Sequence, residues 1–345
     1  MDPWYLSNVV CPRDHRELRE VGDTLVCPNG HSYSIVDGVP VMLLGDVEQT
    51  MSIVEASLKR ASTGSGADDR MPHLFLESLG ISEEEKKGVI KLALHGQCKI
   101  DPVVAYIIAA TSGYMYKHLI GKLDTYPIPE LRLSDGNGQS FLDLGCNWGR
   151  WSIAAARKGY AATGIDPSLG AIMAAKRVSN QLDLPIRYLV ADARYLPFRP
   201  NSFDNVFSYS VLQHFSRQDT GLAVSDVGRV LKSGGTSLVQ MPTAFGVRCI
   251  YHQARRQFGE ARGFEVRYWT IPALRRLFES AVGRAEISVD CYFGIGLQKA
   301  DSELMPIGPK LVLAASEMLR QLSRFAPFMK YVADSVYVKA IKSTL

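Results

Sequence analysis

The sequence predicts an α/β protein: a doubly wound, mainly parallel sheet over residues 134–345, preceded by a small β-rich module over 1–45 and a helical segment over 46–133 that caps it. Three observations carry this. From residue 140 onward, short apolar runs alternate with helical patterns, as parallel strands joined by crossover helices require. The front is turn-rich, with Cys11-Pro12 and Cys27-Pro28 pairs and a strand-like run from Ser34 to Leu43. Between them, Ser82 followed by Glu85 has the form of a capping box that opens a helix through about His95, and the polar run Ser62 to Arg70 reads as a loop.

The elements of the third region follow in order. Phe141 to Leu144 is the first strand, and Gly149 to Lys158 is a helix that Gly159 ends, where a left-handed residue is wanted. Ala161 to Asp166 is the second strand, and Pro167 suits the first turn of the next helix. Ile186 to Val190 and Phe203 to Tyr209 are the third and fourth strands. A helix over about Gln218 to Leu231 stops at Ser233-Gly234-Gly235, and Thr236 to Met241 is the fifth strand. Further strands fall at Ala285 to Cys291 and Ser335 to Ile341.

Composition bounds the function. Of 345 residues, 46% are hydrophobic and 21% charged, which excludes disorder, collagen-like repeats and a disulfide mini-protein. The net charge of +4 forces neither a nucleic-acid nor a membrane partner. The longest apolar stretch, around Val103 to Ala110, falls far short of the ~20 residues of a membrane span, so no membrane partner is expected. The opening MDPWYLSNVV has no basic start, so no signal peptide is read and the expected compartment is cytoplasmic. Six cysteines in such a chain argue for metal or free thiols before disulfides.

The first chemical motif is FLDLGCNWGRWS. An apolar strand reaches Asp143, and Gly145, Asn147 and Gly149 follow at two-residue intervals before a helix begins. Small residues let the backbone approach a ligand, and the helix N-terminus offers free N–H groups. Asp166 closes the second strand, where a carboxylate can take both hydroxyls of a ribose. Asp192, in Val190-Ala191-Asp192-Ala193, follows the third strand and can accept from an adenine amino group. An acid at Asp143 would repel a pyrophosphate but suits an ammonium. The turn therefore fits a nucleoside that carries an amino acid. The bland reading makes these acids helix caps, which leaves acids at three successive strand ends unexplained.

Residues 140–242 resemble class I S-adenosylmethionine-dependent methyltransferases, which have a Rossmann-like sheet, in the branch similar to ubiquinone/menaquinone-biosynthesis enzymes. The matching residues are Asp143 to Gly149, Gly164-Ile165-Asp166, Ala191-Asp192-Ala193, Phe203 to Val206, Ser210 to His214 and Arg229 to Gly235. Asn147 stands where the family often has a second glycine, and Asn tolerates the same backbone region. The resemblance implies S-adenosylmethionine as cofactor, bound by Asp143, Gly145, Asn147, Gly149, Asp166, Pro167, Asp192, Ala193 and Ser210. It also implies that catalysis is mostly the in-line positioning of an acceptor. His214 is the candidate general base, with a local hydrogen-bonding role as the alternative. Phe207-Ser208-Tyr209-Ser210 replaces the Asn/Asp-Pro-Pro-aromatic signature of exocyclic-amine methylation.

The second motif is Cys11-Pro12-Arg13-Asp14-His15 with Cys27-Pro28-Asn29-Gly30-His31. Cys and His recur at the same spacing twice, which suggests a tetrahedral Zn2+ site of Cys11, His15, Cys27 and His31. A module of some 45 residues needs such a staple. The pattern resembles zinc ribbons fused to other class I methyltransferases, including large-subunit rRNA guanine-N1 enzymes. Asp14 stands where those ribbons have their second ligand, so Asp14 is the alternative to His15, and a relic fold without metal is a further alternative. Cys98, Cys146, Cys249 and Cys291 read as ordinary buried thiols.

For the methyl acceptor, the insert 244–284 is informative. From Arg248 to Arg284 it holds eight Arg, no Lys and three Glu, a net of +5, interleaved with aromatic residues. Arg suits carboxylate or phosphate, although a solvated amphipathic helix bearing Arg275 and Arg276 explains part of it. One expectation is a small polar or anionic metabolite under the helical cap, where Tyr114, Tyr116 and Tyr126 are candidates. A second is an rRNA or tRNA base, and a third a non-catalytic partner protein that binds the cofactor. Residues 1–45 carry three Arg against six acids, a net of −3, which favours the metabolite over a phosphate backbone.

Overall fold

The computed structural model describes residues 1–49, 51–63, 71–96, 98–111, 114–294 and 298–344. The front begins with helix α1 (Pro3–Asn8), capped by Asp2, and continues as a four-stranded antiparallel sheet of β1 (Arg19–Val21), β2 (Thr24–Val26), β3 (Ser32–Val36) and β4 (Val39–Pro40). Helices α2 (Ser52–Thr63), α3 (Glu83–His95) and α4 (Pro102–Thr111) follow. The capping box on α3 forms as expected: Glu85 N–H donates to Ser82 Oγ (3.2 Å) and Ser82 N–H to Glu85 Oε2 (2.8 Å). The apolar run at Val103 to Ala110 is α4, buried rather than spanning anything. The expected loop Ser62 to Arg70 is helical at its first two residues, and 64–70 lies outside the described residues.

The third region alternates β5 (Ser140–Leu144), α5 (Arg150–Arg157), β6 (Ala161–Asp166), α6 (Leu169–Gln181), β7 (Arg187–Val190), β8 (Phe203–Ser208), α7 (Arg217–Val230) and β9 (Leu231–Pro242). It ends with α8 (Val247–Arg255), α9 (Ile271–Ala281), β10 (Ala285–Cys291), α10 (Ile307–Leu322) and β11 (Ser335–Ile341). The seven strands lie in the order β7-β6-β5-β8-β9-β11-β10, and β11 alone runs against the rest. Strand residues divide between the faces. Leu142, Leu144, Ile165, Val206 and Val239 join the core of α7 and α9, while Phe141, Ala162, Phe207 and Leu238 pack with Trp151 and Ala155 of α5. The sheet is therefore doubly wound.

One boundary differs from expectation. The fifth strand starts at Leu231 rather than Thr236. Phe203 pairs with Leu231 and Asn205 with Thr236, so Lys232 to Gly235 bulge out of the ladder without breaking it. The front module is also less separate than its length suggests. Val41 bridges to Val190 in parallel, Met42 N–H donates to Val190 O (2.7 Å), and Val9 bridges to Phe198. Tyr5, Val9, Cys11, Leu25 and Met42 share one hydrophobic cluster with Leu189 and Phe198, so the module extends the edge of the sheet beyond β7.

Candidate active site and metal cluster

The carboxyl ends of β5, β6, β7, β8 and β9 share one rim, and register adds the end of β10 and the start of β11 to it: Cys291 pairs with Ser335, and Ser335 with Pro242. The glycine-rich turn sits at the centre. Gly145 and Gly149 have φ of 69° and 82°, and Asn147 adopts 50°. A Cβ at Gly145 would stand 2.3 Å from Val211 Cγ2, and one at Gly149 2.5 Å from the Tyr188 hydroxyl, so sterics as well as conformation require glycine.

Asp166 braces this turn. Its Oδ2 accepts from Asn147 N–H (3.0 Å) and its Oδ1 from Ser168 N–H (2.9 Å). Burial pushes its carboxyl up to about 6, against the pull of those two donors. Asp143 lies deeper. It is 1% exposed and accepts from Ser152 Oγ (2.7 Å), and burial pushes it up to about 7. The carboxylate supports the turn from beneath. Asp192 reaches the rim but is gripped by Arg194, whose Nη2 and Nε donate to it (2.7 and 3.1 Å). Arg194 also holds Asp219 (3.2 Å) and the Glu48 carbonyl (3.0 Å). Sequence reasoning missed Arg194, although its two-residue spacing from Asp192 on a strand-end turn was a usable signal.

The remaining expected residues fall as follows. Ala193 is buried beside Asp192. Ser210 is exposed, with φ of 62°; its N–H donates to Gln240 Oε1 (2.9 Å) and its Oγ accepts from Gln213 (2.7 Å). Pro167 is covered by the helical segment: its carbonyl accepts from Ser57 Oγ (2.8 Å), which in turn accepts from Leu169 N–H (3.0 Å). Ser168 Oγ donates to Ser78 O (2.6 Å), and Gly170 N–H donates to Ser78 Oγ (2.7 Å). Two serines of the cap thus lock the N-terminus of α6 beside Asp166, a pairing no local sequence pattern announces.

His214 is half-buried and stacks on Phe264, with ring centroids 3.7 Å apart. Its Nδ1 donates to Phe264 O (2.7 Å), so Nε2 carries the lone pair, and that atom faces Gln213 Nε2 (3.1 Å). Burial lowers its pKa, which keeps the ring neutral at pH 7. Of the expected cap tyrosines, the side chain of Tyr114 lies outside the described residues. Tyr116 is buried and shares Asp301 with Arg150, and Tyr126 accepts from Asp101 N–H (2.8 Å) and donates to Gln181; both are structural.

The insert's arginines disperse. Arg267 binds the carbonyls of His214, Gly263 and Glu265, Arg256 that of Val266, while Arg275, Arg276 and Arg284 face solvent. The cations gather elsewhere, at a cavity of about 340 Å³ lined by Arg132, Lys299, Arg320 and Arg324 with Glu130 and Glu317. Arg132 Nη1 pairs with Asp290 (3.1 Å) and Arg320 with Glu317 (2.7 Å), leaving Lys299 and Arg324 without a side-chain partner among the described residues. Gln298, also on its wall, donates to the Tyr209 hydroxyl (2.9 Å), directly after β8.

At the front, Cys11, Asp14, Cys27 and His31 converge, with one ligand atom from each within 4.8 Å of the others. His31 Nδ1 lies 3.4 Å from Cys11 Sγ, 3.2 Å from Cys27 Sγ and 3.4 Å from Asp14 Oδ2, and Cys27 Sγ lies 3.8 Å from Asp14 Oδ2. Bond lengths of ~2.0–2.3 Å in a tetrahedron give edges of about 3.3–3.8 Å, so the set fits Zn2+. His15, the expected second ligand, is not part of it: at φ 55° it is exposed, near Arg229 and Asp226, and Asp14 takes the place instead. Of the other thiols, Cys146 and Cys249 are buried and Cys98 and Cys291 half-buried, all unpaired.

Comparison with known proteins defines the class. Residues 141–235 match the family model described as a methyltransferase domain. Over 106 residues the chain is 35% identical to phosphoethanolamine N-methyltransferase 2 of Caenorhabditis elegans, covering 30% of this chain and 24% of that one. Over 102 residues it is 34% identical to the ubiquinone biosynthesis O-methyltransferase of Brucella abortus, covering 30% and 40%. Among solved structures, the Haemonchus contortus phosphoethanolamine N-methyltransferase 2 in complex with S-adenosyl-L-methionine aligns with TM-score 0.44 and 22% identity over 61% of this chain and 50% of that chain. The chain thus spans 24% and 40% of the two curated relatives. It carries a class I S-adenosylmethionine-dependent methyltransferase domain.

Proposed function

We propose that the whole chain is an S-adenosylmethionine-dependent methyltransferase that acts on a small polar or anionic acceptor. The observation that carries the reading is the Asp166 carboxylate, fixed by two backbone N–H groups at the strand end beside the glycine turn. Its remaining lone pairs are placed to accept from ribose hydroxyls. The cofactor supplies an electrophilic methyl group, so the chain's task is orientation and exclusion of water. Gly145 and Gly149 let the turn come close, and the Ser57 and Ser78 bonds hold α6 in register with it. His214 Nε2 is the available base for an acceptor that must lose a proton, once Gln213 releases it.

The acceptor's anionic group is assigned to the cavity of Arg132, Lys299 and Arg324, because Gln298 on its wall links it to the Tyr209 hydroxyl just after β8. Lys299→Ala and Arg324→Ala should each raise acceptor KM about tenfold with cofactor affinity unchanged. Unchanged KM in both would remove the assignment. RNA binding with an apparent affinity that falls steeply with salt would replace the metabolite by a nucleic acid. We further propose one Zn2+ held by Cys11, Asp14, Cys27 and His31, with a purely structural role. Metal analysis of chelator-free protein tests it: Asp14→Ala should lose zinc and His15→Ala should keep it.

A further inference from the structure

The C-terminal part of the chain leaves a large apolar face uncovered. On α10, Ile307, Leu311, Met318, Leu322 and the following Phe325 fall within one stripe at helical spacing, and all point to solvent; Ile307 is 78% and Phe325 89% exposed. The opposite side of α10, through Leu313, Ser316 and Leu319, already packs on the protein. The stripe is therefore surplus to folding. It continues through Phe328 (72% exposed), Tyr331 and Val332.

Two residues further on, Asp334 Oδ1 accepts from Arg248 N–H (2.8 Å) and Cys249 N–H (3.2 Å). This pins the start of α8 against the same stretch. Around that helix Phe245, Val247, Ile250 and Tyr251 are exposed as well. Soluble monomers rarely leave so many large apolar side chains open in one area.

The charges interleaved with this face have one sign. Residues 245–258 contain Arg248, Arg255 and Arg256 and no acid. Residues 307–332 add Lys310 and Lys330, while Arg320, paired with Glu317, and Arg324 line the cavity assigned to the acceptor. Apolar and aromatic side chains ringed by cations fit a partner with a negative surface and a greasy interior. A second copy would set like charges against each other. We propose that this face lies on an anionic lipid bilayer, its aromatic side chains at the headgroup level and its cations on the lipid phosphates. No described helix is long and apolar enough to cross a membrane, and crossing is not needed here. The rim that carries Thr243 and Ser335 adjoins this face, so the mouth of the candidate site would stand beside the bilayer. The inference goes beyond the methyl-transfer reading and holds without it.

Vesicle co-sedimentation of the full chain tests it. Wild type should bind vesicles of phosphatidylcholine with phosphatidylglycerol at least tenfold better than phosphatidylcholine alone, with part of that preference lost in high salt. The double variant F325D/F328D alters two side chains already in solvent, so folding should persist, checked by an unchanged melting temperature. Its partition onto anionic vesicles should fall at least tenfold with cofactor binding intact. The proposal is overturned if wild type does not sediment with anionic vesicles. It is equally overturned if sedimentation equilibrium shows a dimer that F325D/F328D dissociates while vesicle binding is absent.

Discussion

The strand-end turn and the front cluster both gather polar groups at bends of the chain, yet they are held in opposite ways. At the turn every element is set by backbone: Gly145 and Gly149 are forced by close contacts, and Asp166 is tied to two N–H groups inside a packed sheet. At the front, Asp14 and His31 are only half-buried and the strands are two to five residues long, so the backbone fixes less of the geometry. The first site is preorganised by the fold; in the second, the proposed Zn2+ would organise it. Perturbing each should therefore fail differently.

The largest effect is expected at the front. Removing the metal, by chelation or by Cys27→Ser, should cost several kcal/mol and lower the melting temperature, because the module shares a core cluster with Leu189 and Phe198 at the edge of the sheet. An unchanged melting curve with chelator would place the front on the same footing as the turn. Next comes Gly145→Ala, expected to cost about 2–4 kcal/mol from the clash with Val211 and the left-handed φ. Adding Val211→Ala should recover the clash but not the conformational part, which a denaturant titration of the double variant measures.

A smaller effect separates the two regions by pH. Burial raises Asp143 to about 7 and Asp166 to about 6 from an ordinary 3.8. The folded state therefore holds these protons more tightly than the unfolded one. The resulting stability is complete below about 4 and is lost as pH rises through about 6–7. Cofactor-free protein should thus lose this contribution between pH 4 and pH 7. Asp143→Asn should flatten that slope by at least about 1 kcal/mol, read from chemical denaturation at both pH values.

How much of this was legible in the sequence follows the same divide. The seven strands and the turn could be read because apolar periodicity and glycine spacing are local, and every strand but β9 fell within a residue or two. The onset of β9 at Leu231 could not, since a bulge admits glycines into a strand that pattern alone would end. The choice of Asp14 over His15 turned on the left-handed backbone at His15, which two adjacent ligand-type residues do not reveal. Ser57 and Ser78 act across long sequence separations, and the cationic cavity draws on residues from 130 to 324, so no spacing rule could gather them.

The central claim is that Asp166 anchors the cofactor's ribose at the end of β6. Calorimetric titration of S-adenosylmethionine into wild type and Asp166→Ala tests it directly, with Asp37→Ala at the front as a control. Asp166→Ala should lose ~1–3 kcal/mol of binding free energy, about five- to 150-fold in Kd, and the control none. Equal affinity in wild type and Asp166→Ala, with the variant shown to be folded, would contradict it.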